Sequence, residues 1–325
     1  MIALLTKEIK GENMKNEKID FYSPIDLKTY NLEQTIRYQL DILERLDHFT
    51  RKHSENVANL CCRICEYLHC KKSFTIHCTI CGYLHDIGKM QIPTKILNKP
   101  DRLTEEEYDI MKKHTTLGYK ICMQEPKLRP YALAALDHHE ALDGTGYPNG
   151  IKKKDIPYEA QIVRVADEYD ALVTKRQYKT HVNISETLKE LVKDAKPDPK
   201  FIALDQLASK QKDGKINGVI LKNLFKVVID DTLYEISGVM DYVEYLKQQI
   251  KRLELMQNYK KKADASNKEK TKEYYLEGIQ LLLQEGETLE NFTQILEEYK
   301  NALVVRQNVI KQLYAEIKII KKLRV

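Results

Sequence analysis

Apolar positions recur at three- and four-residue intervals along most of the chain, and that period predicts helices. Asn31 with Gln34 marks a helix start, and Leu32, Ile36, Leu40 and Leu43 carry that helix to about Leu46. A second helix holds His53, Val57, Leu60, Ile64 and Leu68. A third is expected over 73–87, with Ile76, Ile80 and Leu84 on one face and Gly88 placed to end it. Ile92-Pro93 and Lys99-Pro100 then break the chain into a loop. Thr104 with Glu107 forms a capping box, and the helix it opens runs through Tyr108, Met111, His114, Thr115 and Gly118. Pro126 and Pro130 bound a connection to a helix over about 131–141. The glycines and proline between Asp143 and Gly150 make a structured loop. Pro157 opens the next helix, with Ile162, Val165, Ala166, Tyr169 and Leu172 at helical spacing.

Beyond Pro197-Asp198-Pro199, which reads as a linker, the pattern stays helical. Leu221, Leu224, Phe225 and Val228 favour helix over strand despite their β-branched content. Val243, Leu246, Ile250 and Leu253 continue the period over 240–257, and two more helical segments are expected over 273–285 and 287–322. Ile295, Ala302 and Val309 stand seven apart, but Arg306 interrupts the companion row of Tyr299 and Leu313, so the coiled-coil signal is weak.

Composition narrows the class. The chain has 325 residues, 42% of them hydrophobic and 31% charged, which allows a globular core under a heavily charged surface. The net charge of +5 is concentrated: residues 259–272 carry six lysines against Asp264 and Glu269. That makes the basic balance a linker property and argues against a nucleic-acid polymer as ligand. No apolar run reaches the ~18 to 20 residues of a membrane helix. The opening Met1–Glu8 stretch is too short in apolar residues for a secretory signal, so a cytoplasmic location without membrane contact is expected. The seven cysteines then read as free thiols. Cys62/Cys65 and Cys78/Cys81 form two Cys-x-x-Cys pairs, but both lie in helix-like segments without a turn, which disfavours structural zinc.

The candidate chemistry centres on His85-Asp86-Ile87-Gly88-Lys89. A lone histidine on an apolar face is usually a core residue. Here His53, His85, Asp86, His114, His138, His139 and Asp167 together offer five imidazoles and two carboxylates, more than one tetrahedral site uses. Mixed nitrogen and oxygen ligands at higher coordination suit two divalent ions of the Fe or Mn type, with Asp86 bridging. Two such ions about 3.5 to 4 Å apart hold a bridging hydroxide that attacks phosphorus in line with a leaving oxygen. Lys89 would offset the phosphate charge, or protonate the leaving group if its pKa were lowered. Arg176 and Lys179 are cations suited to a second phosphate or a guanine edge. From the residues alone, the reading is a metal-assisted phosphohydrolase.

The stretches HDIGKMQIPTKILNKPDRLTEEEYDIMKKH, HHEALDGTGYPNGIKKKDIP and VADEYDALVTKRQYK occur in order over roughly residues 40–200 and resemble the HD-GYP domain family, cyclic di-GMP phosphodiesterases among the HD phosphohydrolases. The resemblance implies an all-α HD-domain helical bundle, here with additional C-terminal helices, and the metal-ligand roles named above. It places Lys89 on the phosphate side, makes Gly146-Tyr147-Pro148 the name-giving loop, and puts Arg176 and Lys179 at dinucleotide-binding positions. Family members with a third metal carry a Glu one turn before the first histidine, where this chain has Phe49. Two metals and the linear product pGpG are therefore expected. Gln177 also stands where a proline is common. The expected organisation is a flexible arm over 1–30, the phosphodiesterase domain over 31–205, a helical extension over 206–258, and a lysine-rich linker with a C-terminal helical arm over 259–325. Candidate partners are a diguanylate cyclase and a second copy docking through the C-terminal helices. The competing readings are hydrolysis of 3′,3′-cGAMP or another phosphoester, and a non-catalytic nucleotide sensor or adaptor.

Overall fold

The computed structural model describes residues 46–177, 184–197 and 214–325. The expected arm over 1–30 and the helix expected from Asn31 lie outside them. Every regular element among the described residues is helical. α1 spans His48–Tyr67 and α2 Lys72–Leu84; a short α3 follows at Thr94–Leu97. α4 is Glu105–Lys112, α5 His114–Gln124, α6 Ala132–Asp137, α7 Tyr158–Gln177 and α8 Ile184–Asp194. α9, Gly218–Asp264, is 47 residues long, about 70 Å of helix. α10 (Glu269–Gln280) and α11 (Phe292–Ile320) complete the order.

Caps explain several starts. Asp47 accepts the Phe49 and Thr50 amides at the head of α1. The Thr104–Glu107 capping box opens α4 as expected. Asn217 caps α9.

The ends depart from the apolar period. α2 stops at Leu84, and a 3-10 turn over Ile87–Gln91 follows, so His85 and Asp86 lie beyond the helix rather than in its last turn. Gly88 serves a close approach instead of a cap: a Cβ there would sit 1.9 Å from the His114 carbonyl oxygen. The helix expected from Thr104 to Gly118 is two helices broken at Lys113. The one expected over 131–141 ends at Asp137, leaving His138 and His139 in the following turn.

α1, α2, α7 and the first third of α9 enclose one core, in which Val57, Cys61, Ile64, Ile162, Val165, Leu221, Leu224 and Val228 are buried. All seven cysteines are free thiols, and six of them are buried. A second core under α2, α5 and α6 contains Ile80, Leu84, Ile87 and Cys122. Past Thr232, α9 leaves both and forms an arm with α10 and α11. Ile236 and Val243 pack with Ile310 and Ile317; Ile250, Leu253 and Met256 pack with Ile279, Phe292 and Leu296. The buried row of α11 is Leu296, Ile310 and Ile317, with half-buried Leu303 between them, one position after the row read from the sequence; Ile295, Ala302 and Val309 are half-buried at its edge. The boundary expected at 258 falls inside α9, which continues through the first six residues of the lysine-rich stretch, 259–264, before breaking at Ala265. Val325 and Leu323 return to the first core, so the arm's two ends meet at the bundle.

Candidate metal centre

All seven candidate ligands converge. His53 comes from α1, His85 and Asp86 from the turn after α2, and His114 from the first residue of α5. His138 and His139 follow α6, and Asp167 lies in α7. Three overlapping groups have ligand atoms within 4.8 Å of one another: His114, His138 and His139; His53, His85 and Asp86; His85, His138 and Asp167.

Helix ends set the imidazoles. The last carbonyls of a helix lack intrahelical partners. His85 Nδ1 donates to the Gly82 carbonyl at 2.7 Å, His114 Nδ1 to Met111 at 2.8 Å, and His138 Nδ1 to Ala135 at 3.1 Å. Each bond leaves Nε2 as a lone pair aimed inward. His114 Nε2 and His138 Nε2 then face each other at 3.2 Å with no proton between them to share. His85 Nε2 and Asp86 Oδ1 are buried without a hydrogen-bond partner. Orphaned buried lone pairs are costly in an apolar surround. A cation satisfies all of them, so the residues present fit divalent metal.

Charge states agree with that fit. Burial first, then the crowding of His139, His85 and His114 around it, which penalises adding a proton, holds His138 well below the usual imidazole range. Burial brings His139 down to about 3, and it also lowers His114. These imidazoles are therefore neutral, as ligands must be. Burial alone would raise Asp86, but Lys89 and His85 hold its carboxyl well below the usual range. Asp167 is likewise held low, against its burial, first by its hydrogen bond to His53 and then by the neighbouring imidazoles. His53 differs. Burial opposes its charge, yet bonds to Asp167 (2.9 Å) and Asp170 (2.7 Å) push it up to about 10. Binding metal there requires His53 to lose a proton.

Lys89 Nζ lies 2.5 Å from Asp86 Oδ2, and its pKa is raised by Asp86 despite burial. That is opposite to the lowering a proton donor needs, so the charge-offsetting role is the one this geometry fits. The Gly146-Tyr147-Pro148 loop sits at the edge of the cluster. The Tyr147 ring stacks on His139 with centroids 4.7 Å apart and planes 25° apart. Gly146 makes that path passable, since a Cβ there would meet the Ala141 nitrogen at 2.2 Å. Phe49, one turn before His53, is 73% exposed and offers no ligand atom. Arg176 is described only as backbone in the last turn of α7, and Lys179 lies outside the described residues.

Two carboxylates went unnoticed in the sequence. Asp170 orients His53 through Nδ1 and is itself held by Asn56 at 3.1 Å. Its signal was present: Asp167 and Asp170 stand three apart on one helical face. Glu140, buried beside His139, accepts backbone amides from across the loop.

A family model described as HD domain matches residues 37–201. The chain belongs to the HD domain family. A Thermotoga maritima relative described as a cyclic di-GMP phosphodiesterase is 42% identical over 158 residues, 47% of this chain and 43% of its own length. A Vibrio cholerae protein described as 3'3'-cGAMP-specific phosphodiesterase 2 is 34% identical over 186 residues, 55% of this chain and 35% of its own. The matched part is thus less than half the length of these curated relatives. Among solved structures, an HDG"Y"P protein from Bdellovibrio bacteriovorus aligns with a TM-score of 0.42 at 22% identity, over 55% of this chain and 52% of that one. The family match covers α1–α8 and all seven candidate ligands; α9, including the part that packs into the first core, and the arm beyond it lie outside the match.

Proposed function

We propose that this HD domain is a metal-dependent phosphodiesterase that opens cyclic di-GMP to linear pGpG. One observation carries the reading: Nε2 lone pairs of His85, His114 and His138 converge with the carboxylates of Asp86 and Asp167 beneath a Gly146-Tyr147-Pro148 loop resting on His139. The mixed donor set suits two Fe or Mn ions, held by His53, His85, Asp86, His114, His138, His139 and Asp167. When bound, such ions polarise a phosphoryl oxygen and lower the pKa of water. The chain's own groups do the rest. Asp86, its carboxyl held well below the usual carboxylate range by Lys89 and His85, would be a shared ligand of the two ions. Lys89 offsets charge on the phosphate. Tyr147 walls one side of the site, and Arg176 and Lys179 take the second phosphate or a guanine edge. Water adds to phosphorus in line with the leaving ribose oxygen, the P–O bond to that oxygen breaks, one water proton ends on the released ribose hydroxyl and the other stays with the new terminal phosphate or passes to solvent, and the ring opens. Phe49 supplies no ligand for a third ion, which supports pGpG as the end product.

The similarity to relatives described as acting on cyclic di-GMP and to one described as cGAMP-specific supports the substrate class and keeps 3′,3′-cGAMP as the second reading. No helix among the described residues is long and apolar enough to cross a membrane; a cytoplasmic setting is part of the proposal. The arm exposes Tyr242, Tyr245, Val304 and Val305, which supports its use as the contact surface for a second copy or a diguanylate cyclase.

The test is incubation of purified protein with each cyclic dinucleotide, with and without reduced iron or manganese, followed by chromatography of the products. Metal-dependent pGpG formation is expected, with about two metal ions per chain. Faster cleavage of 3′,3′-cGAMP moves the assignment to the second reading. Binding without turnover under every metal condition overturns it in favour of an adaptor, and substantial GMP release overturns the two-metal limit.

A further inference from the structure

Three of the site's imidazoles have their ring planes fixed by a bond from Nδ1 to a carbonyl, as described for His85, His114 and His138. His139 makes no such bond. Its Nδ1 points towards Asp167 Oδ2 at 3.9 Å, beyond hydrogen-bond reach. What lies against its ring is Tyr147, nearly parallel at 4.7 Å. The orientation of this candidate ligand therefore depends on where the loop holds Tyr147.

The loop is held by Glu140. Its side chain is 1% exposed and belongs to none of the ligand groups. Oε1 accepts the amides of Asn149 at 2.6 Å and Gly150 at 3.1 Å, and Oε2 accepts that of Ile151 at 3.1 Å. Three convergent N–H donors on one carboxylate make a strong, charge-assisted cradle. The backbone carbonyl of the same residue accepts Arg164 Nη1 of α7 at 3.1 Å, which fixes Glu140 from the opposite side. Tyr147 N donates to the His139 carbonyl at 3.2 Å, so the loop folds directly back over the residue it orients.

We propose that Glu140 is a positioning residue: by pinning the amides of residues 149–151 it seats the Tyr147 ring on His139 and sets the plane of that imidazole for metal binding. The idea deepens the phosphodiesterase reading and rests on it. A neutral amide cannot replace the carboxylate, because its NH2 group would face one of the three amide donors. The ring of Tyr147, not its hydroxyl, is the part that orients His139.

The test uses full-length Glu140→Gln, Tyr147→Ala, Tyr147→Phe and the Glu140→Gln/Tyr147→Ala double variant, read by backbone amide exchange and by Mn(II) titration. Glu140→Gln is expected to speed exchange at Asn149, Gly150 and Ile151 by about tenfold to a hundredfold, with amides of α10 and α11 unchanged. Its Mn(II) affinity should fall about tenfold, and Tyr147→Ala should match it. Tyr147→Phe should keep the wild-type affinity, and the double variant should bind no worse than Tyr147→Ala alone. Unchanged loop exchange in Glu140→Gln overturns the proposal, as do effects of the two residues on Mn(II) affinity that multiply independently. Should Glu140→Gln not fold, equal Mn(II) affinities for Tyr147→Ala and Tyr147→Phe overturn it. Neither readout needs substrate. A wild-type chain that shows the clamp and binds Mn(II) but cleaves no cyclic dinucleotide removes the phosphodiesterase reading and leaves the clamp standing.

Discussion

α5 and α6 run for 11 and 6 residues, whereas α9 and α11 run for 47 and 29. The short helices of the bundle bring many ends close to one point, and helix ends carry unpaired carbonyls. Those carbonyls fix the tautomers of His85, His114 and His138, and the turns between helices bring their side chains together. The bundle accordingly buries His85, Asp86, His114, His138, Glu140 and Asp167. The arm shows the opposite design. From Ile236 onward no polar or charged residue among those described is fully buried, and one apolar stripe on each long helix holds the three together. A site needs helix ends and buried charge; a lever or contact surface needs neither.

The largest test of this contrast is Asp86→Ala. It removes a group that three neighbours, Lys89, His85 and His114, all face. Turnover should fall by about a thousandfold or more, with metal content reduced and the arm's helicity intact. Retained turnover breaks the assignment of Asp86. Next is Leu253→Ala, at a fully buried arm position. It should cost about 2–5 kcal/mol of stability in denaturant titration while leaving turnover per folded molecule unchanged. A matching loss of catalytic rate would show that the two regions are not energetically separate. Links exist for such coupling: Arg63 of α1 donates to the Val227 carbonyl of α9 at 3.2 Å, and Ser185 N of α8 donates to Glu316 of α11 at 2.9 Å.

Asp170→Asn probes the bundle more gently. Metal affinity should weaken about 10- to 100-fold, since a hydrogen-bonded partner orients a ligating imidazole, and the His53 pKa should fall from its raised value. An unchanged metal titration would remove Asp170 from the site. The smallest effect belongs to the arm. Arg252 donates to Glu287 at 2.7 Å and to the Leu282 carbonyl, tying the α10–α11 loop to α9. The Arg252 bond lowers the Glu287 pKa, against a smaller opposing effect of burial. A carboxyl lowered on folding stabilises above its unfolded value, near 4.3, and that contribution is lost as pH falls through the folded value. Acid should therefore loosen this end of the arm first, by about 1 kcal/mol or less. Tyrosine near-ultraviolet dichroism of Glu287→Gln should show no such acid step.

Much of the site was legible in the chain. His85-Asp86, the His138-His139 pair and the loop around Gly146 stand out because residue type and order alone mark metal-binding chemistry. The helices were legible too, because burial on one face imposes a period of three and four. Their ends were less so. The period continues through His85 and past Asp137, but a helix stops where its hydrogen bonds find other partners, and the apolar pattern contains no record of that. Gly88 looks like a cap in sequence; only the approach of the His114 carbonyl shows why it must be glycine. The packed row on α11 was off by one residue for a similar reason. Ile295 and Leu296 are equally apolar, and only the position of α9 decides which is buried.

Residue chemistry and its order along the chain determined the helical class, the seven candidate ligands and the phosphoester reading. Contacts that the apolar period does not encode decided the rest. Asp170 meets His53 across 117 positions. Glu140 meets the loop amides because the chain folds back on itself at Gly146. Which lone pairs face one another, which carboxylate stays ionised and which ring orients His139 are properties of distance and burial, and those exist only once the helices have packed.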